Sequence, residues 1–265
     1  MPKIRRYHWK ILIKIMSILT VIQARMASVR LPGKSLAQLN GYLSLALLIE
    51  RIKNTKLCDR IIIATTERPE DDQICSIARK YHLNSHRGSS ENVLERYTEA
   101  LKRFPSDYIV RVTADNPLTS IEMFDATVQK MINNNFDYVH VPDLPIGSAV
   151  DIFTKDSLNT CQSAATSDYQ REHINAFIID NPDQFKIGKL EIPEILRRAN
   201  IRLTIDTIED LTRIRLIRNS LNNPTLATLA EIIEAHELLI NQKRSISRTM
   251  PSRSIQEKHL TQPEN

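Results

Sequence analysis

Strand-like runs alternate with amphipathic stretches through the first half of this chain, and that alternation leaves few architectures open. Runs at 17–23, 60–65, 83–87, 107–112 and 137–141, most of them rich in Ile and Val, predict strands. Apolar residues at helical spacing predict helices at about 43–55, 70–82, 90–103 and 120–135. Asn40-Gly41 signals a turn before the first helix, Pro69 suits the start of the second, and Pro105 ends the third. Strand–helix–strand units of this kind build a mostly parallel sheet with helices on both faces, so the expected class is a Rossmann-like α/β fold.

The second half is less regular. Residues 144–153 read as a loop entering a strand, followed by helices at 155–164 and 168–180 and strands at 185–191 and Ile201–Ile205. Thr207 with Asp210 predicts an approximate capping box for a helix over 208–221. A closing helix is expected over 226–242. The expected organisation is a basic extension over 1–15, one domain over 16–243, and a disordered polar tail over 244–265.

Charge is concentrated at the ends. The formal net charge is +5, yet residues 1–15 carry +5 and residues 243–265 carry +3, which leaves −3 on the residues between. A nucleic-acid partner is therefore not expected. The basic start followed by apolar residues faintly mimics a signal peptide, but Lys14 interrupts it. No run approaches the roughly 18–20 apolar residues of a membrane span, so stable membrane insertion is not expected either. Cys58, Cys75 and Cys161 have neither pairing nor metal-ligand spacing, which points to a reducing, cytoplasmic setting.

The chemistry is concentrated after the first strand. The run Ile18–Ile22 stops at a loop carrying Arg25, Ser28, Arg30, Pro32, Gly33 and Lys34. Guanidinium forks and an ammonium at the end of a buried strand suit clustered phosphate oxygens. Asp115 follows the run Tyr108–Val112, and Asp206 follows Ile201–Ile205. Each carboxylate can cap the next helix or hold a hard cation such as Mg²⁺.

Gln23-Ala24-Arg25-Met26-Ala27-Ser28-Val29-Arg30-Leu31-Pro32-Gly33-Lys34 closely resembles the first signature of the CMP-sugar cytidylyltransferase family, which includes the acylneuraminate and 3-deoxy-manno-octulosonate enzymes. The spore-coat polysaccharide synthesis branch is the nearest in pattern. Ile63-Ala64-Thr65-Thr66, Arg87-Gly88-Ser89, Val93-Leu94-Glu95-Arg96-Tyr97, Arg111 to Leu118, Arg171-Glu172-His173 and Leu203 to Thr207 follow in the family's order. The resemblance runs from about Ser17 to about Leu211 and implies a nucleotide-diphospho-sugar transferase type of sheet.

The resemblance implies transfer of CMP from CTP to a sugar, an acidic one, with release of pyrophosphate. It places nucleotide contacts at Ala24, Arg25, Ser28, Arg30, Lys34, Ala64, Thr65, Arg96 and Thr113, and catalytic roles at Arg25, Lys34 and Asp115. It places Mg²⁺ on Asp115 and Asp206, and sugar contacts on Asp151, Arg171 and His173, with Arg171 holding the sugar carboxylate. A surface pairing of Arg96 with Glu91 or Glu95 is the competing reading of that residue. Ala114 stands where the family usually has Gly, and Ala149 where it often has an acid. A homodimer is compatible with the pattern. Two alternatives stay open at this point: a nucleotide-sugar-dependent glycosyltransferase, and a catalytically weak homologue.

Overall fold

The computed structural model describes the backbone of residues 16–249 and the side chains through 241. The first expected extension (1–15) lies outside the described residues. Seven strands form one sheet in the order β3-β2-β1-β4-β6-β5-β7. They are β1 Ile18–Gln23, β2 Arg60–Thr66, β3 Asn84–Gly88, β4 Tyr108–Thr113, β5 Tyr138–His140, β6 Asp151–Thr154 and β7 Ile187–Lys189. Only β6 runs against its neighbours, pairing antiparallel with β4 and β5. The other four pairings are parallel.

Alternation along the strands sorts the core into two layers. Ile18, Ile22, Val110, Val112 and Ile152 face one side. There they meet α1 (Ser44–Lys53), α2 (Asp72–Lys80) and α4 (Ile121–Asn134). Leu19, Val21, Ile109, Tyr138 and Phe153 face the other, against α3 (Val93–Arg103), α5 (Lys155–Ala164) and α7 (Ala176–Asp180). Asn92 and Ser120 cap α3 and α4 through bonds from Glu95 N and Met123 N. The capping box at Thr207 and Asp210 is formed and starts α8, Ile208–Ser220.

Three expectations change. The helix expected over 168–180 breaks into α6 (Asp168–Glu172) and α7, with His173 extended between them. Ile201–Ile205 makes no ladder: Leu203 N donates to Ile146 O at 2.7 Å and Ile205 N to Asp115 O at 2.8 Å, so its backbone is satisfied by loops. Its apolar side chains instead join a third core cluster under α8 and α9 (Leu229–Thr249). Helix α9 also runs past its expected end at 242, so 244–249 is helical where a disordered tail was expected, and 250–265 lies outside the described residues.

Arg51 joins the layers. It is fully buried and donates to the carbonyls of Thr119, Pro224 and Ala227 at 2.9, 2.6 and 2.9 Å. Burial lowers its pKa to about 10. Among the described residues no helix is long and apolar enough to cross a membrane.

Candidate active site

Strand order reverses about β1: successive units extend to β2 and β3 on one side and return to β4 on the other. The loops leaving β1 and β4 therefore diverge and open a crevice at the strands' C-terminal ends. A cleft of about 1090 Å³ lies there. Arg25, Ser28, Arg30, Lys34, Thr113, Asp115, His173 and Asp206, all predicted from the sequence, line it.

The phosphate-type loop has a determined path. Gly33 adopts φ 74°, a left-handed conformation favourable to glycine, and its N–H bonds Met26 O at 2.9 Å. Asp71, buried and overlooked in the sequence, accepts from Met26 N at 2.7 Å and from Thr66 N at 3.1 Å. It thereby ties the loop to the end of β2. Burial alone would raise the Asp71 pKa, but bonds from Thr66, Met26 and Thr65 hold it below the usual carboxylate range.

Carboxylates from the far half of the chain meet the loop's cations. Lys34 Nζ lies 2.6 Å from Asp115 Oδ2 and 2.8 Å from Asp206 Oδ1. Arg30 reaches Asp206 at 2.8 Å, and Arg25 reaches Glu172 at 3.0 Å. Asp206 also accepts from Arg202 at 3.0 Å. Burial would raise the Asp206 pKa, yet Lys34, Arg30 and Arg202 bring it below its ordinary value. Neither Asp115 nor Asp206 caps a helix, because Ser120 and Thr207 do so. The cap reading therefore falls away.

The two aspartates fit a magnesium ion. They converge on one point, where the Lys34 ammonium now stands as a positive charge, and hard oxygens are the donors Mg²⁺ prefers. No group of three or more His, Cys, Asp or Glu suited to a metal occurs among the described residues, so protein oxygens alone would leave a coordination shell open.

Several predicted residues stand elsewhere. Ala24, Ala64 and Thr65 are buried behind the cleft, where Ala24 N bonds Ala64 O at 3.0 Å. Arg96 is fully buried and donates to Ser89 O at 2.6 Å, so it is not a surface cation paired with Glu91 or Glu95, while its Nε and Nη2 have no partner among the described residues. Arg171 does not line the cleft. It pairs with Asp168 one helical turn away at 3.0 Å on the exposed side of α6. The break after α6 is what presents Glu172 and His173 to the cleft instead. Asp151 lies behind Arg111, which lines the cleft.

Sequence reasoning missed Gln23, Arg111, Glu172 and Arg202 as cleft residues. The first three sit inside the quoted motifs, so the signal was present without a direction. Gly147, with φ 92°, packs so tightly that a Cβ would lie 2.8 Å from Thr204 N. The Ala114 methyl is buried in the core, and Ala149 packs against the third cluster.

A family model for cytidylyltransferases matches residues 19–246, most of the chain. The chain belongs to the cytidylyltransferase family. An uncharacterized protein of Methanocaldococcus jannaschii is 45% identical over 74% of this chain and 80% of its own length. The spore coat polysaccharide biosynthesis protein SpsF of Bacillus subtilis is 31% identical over 82% of this chain and 92% of its own. A cytidylyltransferase structure from Leptospira borgpetersenii superposes with a TM-score of 0.79 at 30% identity, covering 89% of this chain and 98% of that one. Membership in the cytidylyltransferases decides against the glycosyltransferase alternative.

Proposed function

We propose that this cytidylyltransferase binds CTP with Mg²⁺ and transfers CMP to a hydroxyl of an acidic sugar destined for a surface polysaccharide. The observation that carries the reading is the meeting of Arg25, Arg30 and Lys34 with Asp115 and Asp206 in one cleft. The acceptor hydroxyl attacks the α-phosphorus and gives up its proton to solvent, the P–O bond to the β-phosphate breaks, and pyrophosphate leaves. Arg25, Arg30 and Lys34 neutralise the departing charge, which is where such transfers gain most from a protein. Asp115 and Asp206 would hold Mg²⁺, which supplies charge neutralisation and orientation at the α-phosphate.

Each loop cation is paired with a carboxylate before nucleotide arrives. Lys34 and Arg30, now held by Asp115 and Asp206, would turn to the phosphates if those carboxylates took up a cation. Nucleotide binding is then an exchange of partners rather than the entry of an anion beside unpaired cations. Use of CTP fits a cytoplasmic enzyme.

Thermal unfolding with each of the four nucleoside triphosphates and Mg²⁺ tests the reading. CTP at about 100 times its Kd stabilises by about 2.7 kcal/mol, which is roughly 5–10 °C for a chain of this size. Equal shifts with all four nucleotides would overturn the cytidine choice.

A further inference from the structure

Arg111 is a cation inside the β-branched strand β4, and the structure accounts for only part of it. Register places Asp151 of β6 opposite, and Arg111 Nη1 donates to Asp151 Oδ2 at 3.2 Å. Asp151 is braced from behind. Its Oδ1 accepts from the Tyr138 hydroxyl at 2.8 Å, and that hydroxyl accepts from Asn175 Nδ2 at 3.2 Å. Arg111 is thus gripped at one nitrogen. Its Nε is buried, has no partner among the described residues, and belongs to a side chain that lines the cleft.

Gln23 ends the adjacent strand β1. Register pairs Gln23 with Thr113 and Val21 with Arg111, so Gln23 and Arg111 stand on the same face of neighbouring strands. Gln23 Oε1 is also buried without a partner among the described residues, and Gln23 lines the same cleft. Buried polar atoms are nearly always bonded. These two therefore define what a ligand brings: an acceptor for a guanidinium N–H, and beside it a donor for an amide oxygen. An acid group next to a hydroxyl supplies both. The guanidinium edge that Asp151 leaves free can make charge-assisted bonds to a carboxylate or phosphate.

We infer that Arg111 and Gln23 are the recognition pair for the acceptor, Arg111 holding its acid group and Gln23 the neighbouring hydroxyl. This rests on the CMP-transfer reading above, and it moves the anion site from Arg171 on the surface to the cleft floor. Asp151, Tyr138 and Asn175 are positioning residues that aim Arg111 without touching the sugar.

The test uses the full-length protein. CTP affinity is measured by titration, and pyrophosphate release is then followed with sugar acids, their methyl esters, sugar 1-phosphates and neutral sugars. Use of acids over esters identifies a carboxylate, and use of sugar phosphates over acids identifies a phosphate; either supports the pair. Arg111→Lys keeps the charge and loses the fork, so the acceptor KM rises about tenfold. CTP affinity stays within about twofold, since the pair is assigned no phosphate of CTP. Gln23→Glu sets a carboxylate against the acid group and raises the acceptor KM in the same way, which keeps the test open if Arg111→Lys fails to fold. Equal use of esters or neutral sugars overturns the inference, as does a CTP effect with an unchanged acceptor KM. If CTP binds and an acid or phosphate is used but neither variant raises its KM, the inference alone falls. If CTP does not bind, the reading of the site falls with it.

Discussion

Asp115 and Asp206 leave different parts of the fold and accept hydrogen bonds from the same atom, Lys34 Nζ, at 2.6 and 2.8 Å. Two carboxylates sharing one cation at a sheet edge make a preformed cation position. Asp115→Asn and Asp206→Asn each keep the shape and remove half of that charge. Turnover is expected to fall roughly 100-fold or more in either variant, the scale of losing one well-placed transition-state stabiliser. Mg²⁺ affinity, read by calorimetric titration, falls as well, while melting moves by less than about 5 °C because these ion pairs are part-exposed. Wild-type turnover in both variants would remove the pair from the chemistry.

Glu172 holds Arg25 across the cleft at 3.0 Å, with both side chains over a third exposed. Glu172→Gln releases the guanidinium for phosphate. Stability changes by less than about 1 kcal/mol, as for exposed pairs generally. CTP Kd, measured by titration, is expected to drop by roughly 2–5-fold, since a competing carboxylate is gone. A weakened CTP affinity would mean that Glu172 supports Arg25 rather than competing for it.

Asp71 gives a pH signature. Its folded pKa lies below the ordinary 3.8, so the unfolded chain binds its proton more readily. The stability it contributes is present above the unfolded value and is lost as pH falls through the lower folded value. Asp71→Asn should cost about 2–3 kcal/mol near neutrality, because an amide cannot accept all of these donors. The gap from wild type should shrink once pH drops below 3.8, as denaturant unfolding at a series of pH values would reveal. A gap independent of pH would assign the loss to packing.

Arg51 is a structural test separate from the site. Arg51→Ala leaves three buried carbonyls, on Thr119, Pro224 and Ala227, without their donor. The expected loss is ~3–5 kcal/mol, within the range for breaking a buried network. Urea unfolding measures it, and CTP affinity of the remaining folded protein should be unchanged. A loss below 1 kcal/mol would show that water replaces the guanidinium readily.

Local patterns carried much of this description. Strands β1, β2, β4 and β5, helices α1 to α5, and the Thr207 cap follow from side-chain period and capping chemistry, which are properties of neighbours in sequence. The loop cations were equally legible, since Arg25, Arg30 and Lys34 follow directly on a buried strand, and the family resemblance implied their phosphate role. Ile201–Ile205 looked like a strand because its alternation is genuine, but alternation reports burial and not pairing.

Direction was not legible. Arg111 and Arg171 both stand in quoted motifs, and composition favours neither. Register against Asp151 and the opening of the cleft put Arg111 at its floor, while Asp168 draws Arg171 to the surface. The partners of Lys34, Arg25 and Asp71 were hidden for the same reason: each lies far along the chain, at Asp206, Glu172 and Met26. The amino-acid sequence by itself determined the elements, the order of the motifs and the cationic loop, because those depend on periodicity and residue type over a few turns. Only the tertiary structure decided which charge meets which, because a side chain's partner is set by strand order and loop path, and these are joint properties of the whole folded chain.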